Sequence, residues 1–321
     1  MSRLVRMGLI DPYIVALLAA AALGFIVPAQ GAAITALALV TKAAVALLFF
    51  LQGVRLQRTA MVAGATHWRL QLLTLLATFG AFPLVGVALY ALFPGAIGAT
   101  LWPGVLYLCA LPSTVQSSIA FTSIARGNVP AAVCAAAVSN LAGIVLTPLL
   151  VSVVLNLHGN VSMLDQIQSL VIQLLLPFFA GQALSNWLRS WAARYAALLS
   201  VLDRGSILLV VYTSFGAAAL AGTWKALDRT ELMRLVLMSG LLLTVVLASM
   251  RYISRLMKFS TEDESAAVFC GSKKSLATGV PMANVLFPAA TVGMMILPLM
   301  IFHQLQLLVC SVIARRYASR R

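Results

Sequence analysis

Runs of mostly apolar residues recur along this chain, separated by short segments where arginine, glycine and proline collect. A helix crosses a bilayer with about 20 such residues. Ten runs of that kind can be drawn, at 12–29, 33–54, 69–93, 101–124, 129–156, 163–187, 202–222, 233–252, 265–287 and 290–313. The pattern predicts an all-α polytopic membrane protein. Composition agrees, since only 9% of the 321 residues are charged and 62% are hydrophobic, against roughly 25% charged in soluble domains.

Charge placement orients the runs. With the N-terminus in the cytoplasm, that side holds Arg3, Arg6, Arg55, Arg58, Arg69, Arg126, Arg189, Arg194, Arg204, Arg251, Arg255, Lys258, Arg315, Arg316, Arg320 and Arg321. Those are 16 of the 22 basic residues; Lys225, Arg229 and Arg234 fall outside. Cytoplasmic loops of membrane proteins carry such an excess, so the expectation is a multi-pass protein of the cell (inner) membrane with both termini cytoplasmic. The first residues resemble a signal peptide, but with so many runs behind them they read as a retained first helix. A net charge of +14 raises nucleic acid as a partner. The basic residues punctuate apolar runs and form no patch with interleaved aromatics, so nucleic acid is set aside and the bilayer is the expected surroundings. Cys109, Cys134, Cys270 and Cys310 lie in apolar runs without metal-ligand spacing and read as buried free thiols. No metal or cofactor is expected.

The acidic residues lie at run ends or in loops, whereas Lys42, Lys273 and Lys274 lie inside runs. The stretch Phe269-Cys270-Gly271-Ser272-Lys273-Lys274-Ser275-Leu276-Ala277-Thr278-Gly279-Val280-Pro281 places two ammonium groups, two glycines and a proline in one run. An intramembrane charge is costly and marks a functional site. Irregular backbone at that depth survives only beside protein or water. A second polar cluster, Pro112-Ser113-Thr114-Val115-Gln116-Ser117-Ser118-Ile119-Ala120, sits in the fourth run. Ser118-Ile119-Ala120 matches Ser275-Leu276-Ala277, and Pro130-Ala131-Ala132 follows one much as Pro288-Ala289-Ala290 follows the other. Five runs per half give two inverted repeats, at 1–156 and 157–321, with runs four and nine broken and crossing. Transporters put their sites at such an interface. Helix breaks present backbone N–H groups and positive charge, so the expected ligand is a small organic anion. The candidate binding residues are Lys273, Lys274, Ser272, Ser275, Gln116, Ser117, Ser118, Ser113, Thr114 and Thr78. Asn128, Asn140, His303 and Gln304 read as packing or capping groups, and Lys42 as a site-edge or structural group.

Thr122-Ser123-Ile124-Ala125-Arg126-Gly127-Asn128-Val129, the Phe269–Lys274 run and Ala77-Thr78-Phe79 before Pro83 resemble the bile acid:sodium symporter family, on the branch of sodium/bile acid cotransporter 7. The resemblance implies a panel domain of helices one, two, six and seven and a core domain of the other six. It also implies uptake of an organic anion coupled to sodium. The family's sodium-ligand positions fall on residues of altered chemistry. Those of span four fall near Ser117 and Ser118, and its span-five hydroxyls on Ala132 and Ala136. Its span-nine glutamate falls on Phe269, its Gln-Asn pair on Lys273 and Lys274, and its span-three glutamine on Thr78. Hard cations take several oxygen ligands, so coupling here is expected to rest on a proton or a lysine as readily as on sodium.

The reading is therefore a secondary transporter by alternating access; the alternative is a transport-inactive membrane regulatory or scaffold protein. An enzyme is not expected. Ser272 with Lys273, or Ser275 with Lys274, has the form of a hydrolase dyad, but no oxyanion hole or acid partner accompanies it.

Overall fold

The structure, a computed structural model, describes residues 12–55, 67–155, 168, 171–222 and 227–319. The expected repeat boundary at 156/157, the leader-like first residues, His158, Lys225, Asp11, Asp165 and the basic residues Arg3, Arg6, Arg58, Arg320 and Arg321 lie outside them. All regular structure among the described residues is helical. In chain order the helices are α1 (Pro12–Ile26), α2 (Ala32–Arg55), α3 (Trp68–Leu92), α4 (Trp102–Ala110), α5 (Gln116–Ile124), α6 (Val129–Val154) and α7 (Val171–Ala183). They continue with α8 (Ser185–Arg194), α9 (Ala196–Leu220), α10 (Arg229–Leu256), α11 (Thr261–Gly271), α12 (Leu276–Leu286) and α13 (Ala289–Ala318).

Six of these (α2, α3, α6, α9, α10 and α13) are long and apolar enough to cross a membrane, and α7 with α8, bent by 91°, makes a seventh if the pair is one span. This is a multi-pass membrane protein. The difference from ten runs has local causes. The run at 101–124 divides at Pro112 into two helices of nine residues. Leu111 before it is extended, at φ −75° and ψ 154°, as steric conflict with a following proline ring favours. The run at 265–287 divides at 272–275, where Ser-Lys-Lys-Ser replaces apolar residues. The first run is a helix of only 15 residues.

The described residues fall into two compact units, each drawing on both halves of the chain. One takes 12–55, 171–222 and 280–294; the other takes 67–155, 227–279 and 295–319. In the first unit α1 packs on α9 and α2 on α7. Gly181 faces the Phe50 carbonyl and Gly53 the Phe178 carbonyl so closely that any Cβ would collide with backbone. Without a hydrophobic force between helices in lipid, such close approach supplies the packing energy. Arg55 pairs with Asp203 where α2 meets α9. On α8, Trp187 and Trp191 are exposed and alternate with Arg189 and Arg194, the composition of a helix lying at a membrane–water interface.

In the second unit the ends of helices are secured by side chains. Asn128 caps α6 by accepting the Ala131 N–H at 3.0 Å and donates to Asp263 at 2.8 Å. Arg126 takes a left-handed φ of 56°, and Gly127 N–H returns to the Thr122 carbonyl at 2.8 Å, closing α5 as a Schellman motif does. Ser260 accepts the Asp263 N–H at 3.1 Å to start α11, with Glu262, Asp263 and Glu264 in the first turn, where the helix dipole favours carboxylates. Glu264 is buried and takes the Tyr317 hydroxyl at 2.5 Å and the Arg255 guanidinium at 3.2 Å.

Candidate functional site

Two helix interruptions in the second unit face each other. Between α4 and α5 the backbone is irregular at 111–115; between α11 and α12 it is irregular at 272–275. Each break supplies what the other lacks. Ser275 N–H donates to the Pro112 carbonyl at 2.9 Å, Ser113 Oγ to the Cys270 carbonyl at 2.5 Å, and Ser118 Oγ to the Phe269 carbonyl at 3.0 Å. The first meets a carbonyl within the break after α4, and the other two satisfy carbonyls freed where α11 ends, all of which would otherwise be costly to bury.

Helix α6 braces the breaks from one side. Ser139 Oγ accepts the Ser113 N–H at 3.0 Å. Asn140 Nδ2 donates to the Ser113 carbonyl at 2.8 Å and to its own helix at the Ala136 carbonyl, while Asn140 Oδ1 accepts the Thr278 hydroxyl at 2.9 Å. Thr147 donates to the Ala110 carbonyl at 2.9 Å. Gly143 leaves room for the Pro112 ring, whose Cβ would stand 2.7 Å from any added Cβ. Tyr107 donates to the Gly279 carbonyl at 2.5 Å, tying α4 to α12.

Both lysines are fully buried, and their surroundings differ. Lys274 Nζ donates to three carbonyls, Thr78 at 2.8 Å, Cys109 at 2.7 Å and Leu111 at 2.7 Å, and lies 4.1 Å from the centre of the Phe82 ring. Lys273 Nζ donates to the Ser117 carbonyl at 2.8 Å and sits 4.0 Å from the Phe121 ring centre and 5.4 Å from that of Phe269. Burying an ammonium costs several kcal/mol in practice. Hydrogen bonds from a charged donor contribute about 1.5–3 kcal/mol each, and a desolvated cation–π contact about 2. Three such bonds and a ring offset the burial of Lys274; one bond and two rings offset less for Lys273.

The carbonyls around Lys274 arise where helical pairing fails. Cys109 and Leu111 lie at the C-terminal end of α4, the negative pole of its dipole. Thr78 lies in a π-helical turn at Ala77–Ala81 within α3, and π turns displace carbonyls from the regular ladder and gather at functional sites. The Lys274 peptide is itself held from α13. Gln306 Oε1 accepts the Lys274 N–H at 2.9 Å, and Gln306 Nε2 donates to the Lys274 carbonyl at 3.0 Å.

Of the ten residues singled out in the sequence, Lys273, Lys274, Ser275, Ser113, Thr114, Ser117, Ser118 and Thr78 gather around the two breaks. Thr114, Ser117 and Ser118 share hydroxyl bonds of 2.8 Å. Ser272 Oγ turns back to the Val268 carbonyl at 2.6 Å and serves its own helix. Gln116 opens α5 and is exposed. Lys42 is exposed on α2. Asn140 and Gln306 are more central than their sequence context indicates, and Ser139, Thr147 and Tyr107 carry no signal beyond being polar groups in apolar runs. Gln306 also meets His303 Nδ1 at 2.8 Å. Because the Gln306 amide is oriented by the Lys274 peptide, that nitrogen of His303 is the acceptor.

The sequence matches the SBF-like CPA transporter family over residues 11–319. It is 50% identical to an uncharacterized protein of Pseudomonas aeruginosa, over 97% of this chain and 94% of that one. It is 47% identical to the putative symporter YfeH of Escherichia coli, over 96% and 93%. It is 27% identical to the sodium/bile acid cotransporter 7 of the mouse, over 85% and 82%.

Proposed function

The chain belongs to the SBF-like CPA transporter family, and on that premise we propose that it is a secondary transporter of a small organic anion, working by alternating access in the inner (cell) membrane with both termini in the cytoplasm. The observation that carries the reading is the pair of helix breaks, bonded to one another, that hold two fully buried lysines. Breaks of this kind, with fixed positive charge and hydroxyls beside them, suit an anion. The name of the mouse relative carries a bile acid, an amphipathic organic anion of this class, and sodium.

Two further observations support a ten-helix architecture of two inverted repeats with helices four and nine broken and crossing. The matched triplet Ser118-Ile119-Ala120 lies in the first turns of α5, just after one break, and Ser275-Leu276-Ala277 joins the last residue of the other break to the start of α12. One compact unit also holds the described parts of runs one, two, six and seven, as a panel would, with 280–294 added; the other holds most of the rest.

Purified full-length protein in proteoliposomes tests the proposal by counterflow of labelled taurocholate, glutarate and lactate, with sodium or choline as the cation and at several pH values. Saturable counterflow of one of these anions is the expected result. Absence of both binding and counterflow across the panel favours a transport-inactive regulatory role instead.

A further inference from the structure

The cage around Lys274 has the chemistry of a monovalent-cation site. Its acceptors are neutral, hard oxygens, the carbonyls of Thr78, Cys109 and Leu111, and the face of Phe82 stands nearby. No carboxylate takes part in the bonds that Lys274 makes. Three acceptors match the three N–H groups of an ammonium; a neutral amine would turn its lone pair on one of the oxygens. Those carbonyls come from a π turn in α3 and from the end of α4, two segments distant in sequence, and the lysine arrives from a third, the break before α12. Without a cation between them, three carbonyl dipoles would converge on one point.

We propose that this is a monovalent-cation site which the protein fills from within: the Lys274 ammonium is a tethered cation holding the π turn and both breaks in one arrangement. A dissolved sodium ion has no place in the cage while the side chain is there. Lys273 is built for the other task. It donates one hydrogen bond, to the Ser117 carbonyl, beside the rings of Phe121 and Phe269 and the thiols of Cys270 and Cys310, so it is the ammonium with N–H groups left to meet an anion. This assignment of tasks rests on the transporter reading, whereas the cage does not, and the test keeps them apart.

The test is thermal unfolding of purified protein in detergent, in sodium, potassium, ammonium, methylammonium or choline chloride at equal ionic strength, with no anionic ligand added. Wild-type melting midpoints should coincide in sodium and choline. Lys274→Ala should melt several degrees lower and regain much of that loss in ammonium or methylammonium, which fit the vacated cage, but not in choline, which is too large. Lys274→Gln, which keeps two donors for three carbonyls, should fall between. Saturable stabilisation of the wild type by sodium, or a Lys274→Ala protein that melts like wild type, overturns the proposal. So does a loss that no small cation restores. If neither variant can be isolated folded, the wild-type comparison decides: sodium-dependent stability refutes the tethered cation, and indifference to sodium upholds it. Cation rescue of Lys274→Ala without anion counterflow by the wild type leaves the cage standing and removes the transporter reading; the converse pair of results removes the cage alone.

Discussion

Gln306 grips the peptide of Lys274 from both sides, accepting its N–H at 2.9 Å and donating to its carbonyl at 3.0 Å from 32 residues away. The side-chain amide takes the place of the helical neighbours that Lys274 lost when α11 ended. A lysine on unpaired, mobile backbone could not keep three carbonyls at bonding distance, so the clamp on the main chain is what aims the side chain.

Replacing Gln306 with leucine therefore removes both hydrogen bonds to the Lys274 backbone and a third to His303 Nδ1, and leaves a buried N–H and C=O of Lys274 unmet, at about 1–3 kcal/mol for each unsatisfied group. Gln306→Glu keeps the acceptor for Lys274 N–H and loses the donor, so it should be less harmful than leucine. Unfolding midpoints in detergent should rank wild type above Gln306→Glu and that above Gln306→Leu. Equal midpoints for all three would show that the clamp carries no stability.

Lys273 should behave differently from its neighbour. Lys273→Gln keeps a donor for the Ser117 carbonyl, so its melting midpoint should stay near that of wild type. Its affinity for the transported anion should fall. A charge-assisted bond of about 1.5–3 kcal/mol corresponds to roughly tenfold to a hundredfold in affinity. The check is ligand-induced stabilisation or counterflow, measured beside the melting curve; unchanged affinity would show that the anion does not meet Lys273.

On α6, Asn140→Ala strips the Ser113 carbonyl and the Thr278 hydroxyl of a partner at once. The Thr278 hydroxyl keeps Ser275 Oγ, so the expected loss is about 1–3 kcal/mol for the buried Ser113 carbonyl left unpaired. Gly143→Val tests the same contact by steric means, because the added side chain meets the Pro112 ring; overpacking of this kind costs about 1–3 kcal/mol. A double variant should lose less than the sum of the two, since both act on one break. Full additivity would mean that Asn140 and Gly143 support separate elements.

The helical class, the membrane setting and the two polar breaks were legible in the sequence because they are written in side chains. Hydrophobic runs, Pro112 and the Ser-Lys-Lys-Ser tetrad each carry a local signature. The cage was not legible, because Thr78, Cys109 and Leu111 act there through backbone carbonyls, which every residue has. Gln116 stands among hydroxyl neighbours in the sequence, yet it opens α5 and is exposed, whereas Ser118 two positions on is buried; helical phase, invisible until the start of the helix is fixed, separates them. Glu264 falls at a run end, where carboxylates are usually solvated. It is buried instead, because Arg251 and Arg255, one turn apart on α10, and Tyr317 on α13 converge on it.

Orientation can be settled with two cysteines. The basic-residue bias puts Arg194, at the end of α8, in the cytoplasm, and the segment between α3 and α4 outside. Ala99 is exposed in that segment, and Gly98 beside it donates its N–H to Glu231 at the start of α10 at 2.6 Å, so both loops belong to one side. The native cysteines, Cys109, Cys134, Cys270 and Cys310, are all buried, so background labelling should be low. A membrane-impermeant maleimide added to spheroplasts should label Ala99→Cys and spare Arg194→Cys; inverted vesicles should give the reverse. Labelling of both from one side would break the alternation of runs between positions 99 and 194, and with it the five-plus-five inverted arrangement. Opposite sides with the assignment reversed would keep the architecture and turn the protein over, placing the termini outside and contradicting the excess of arginine on the cytoplasmic face.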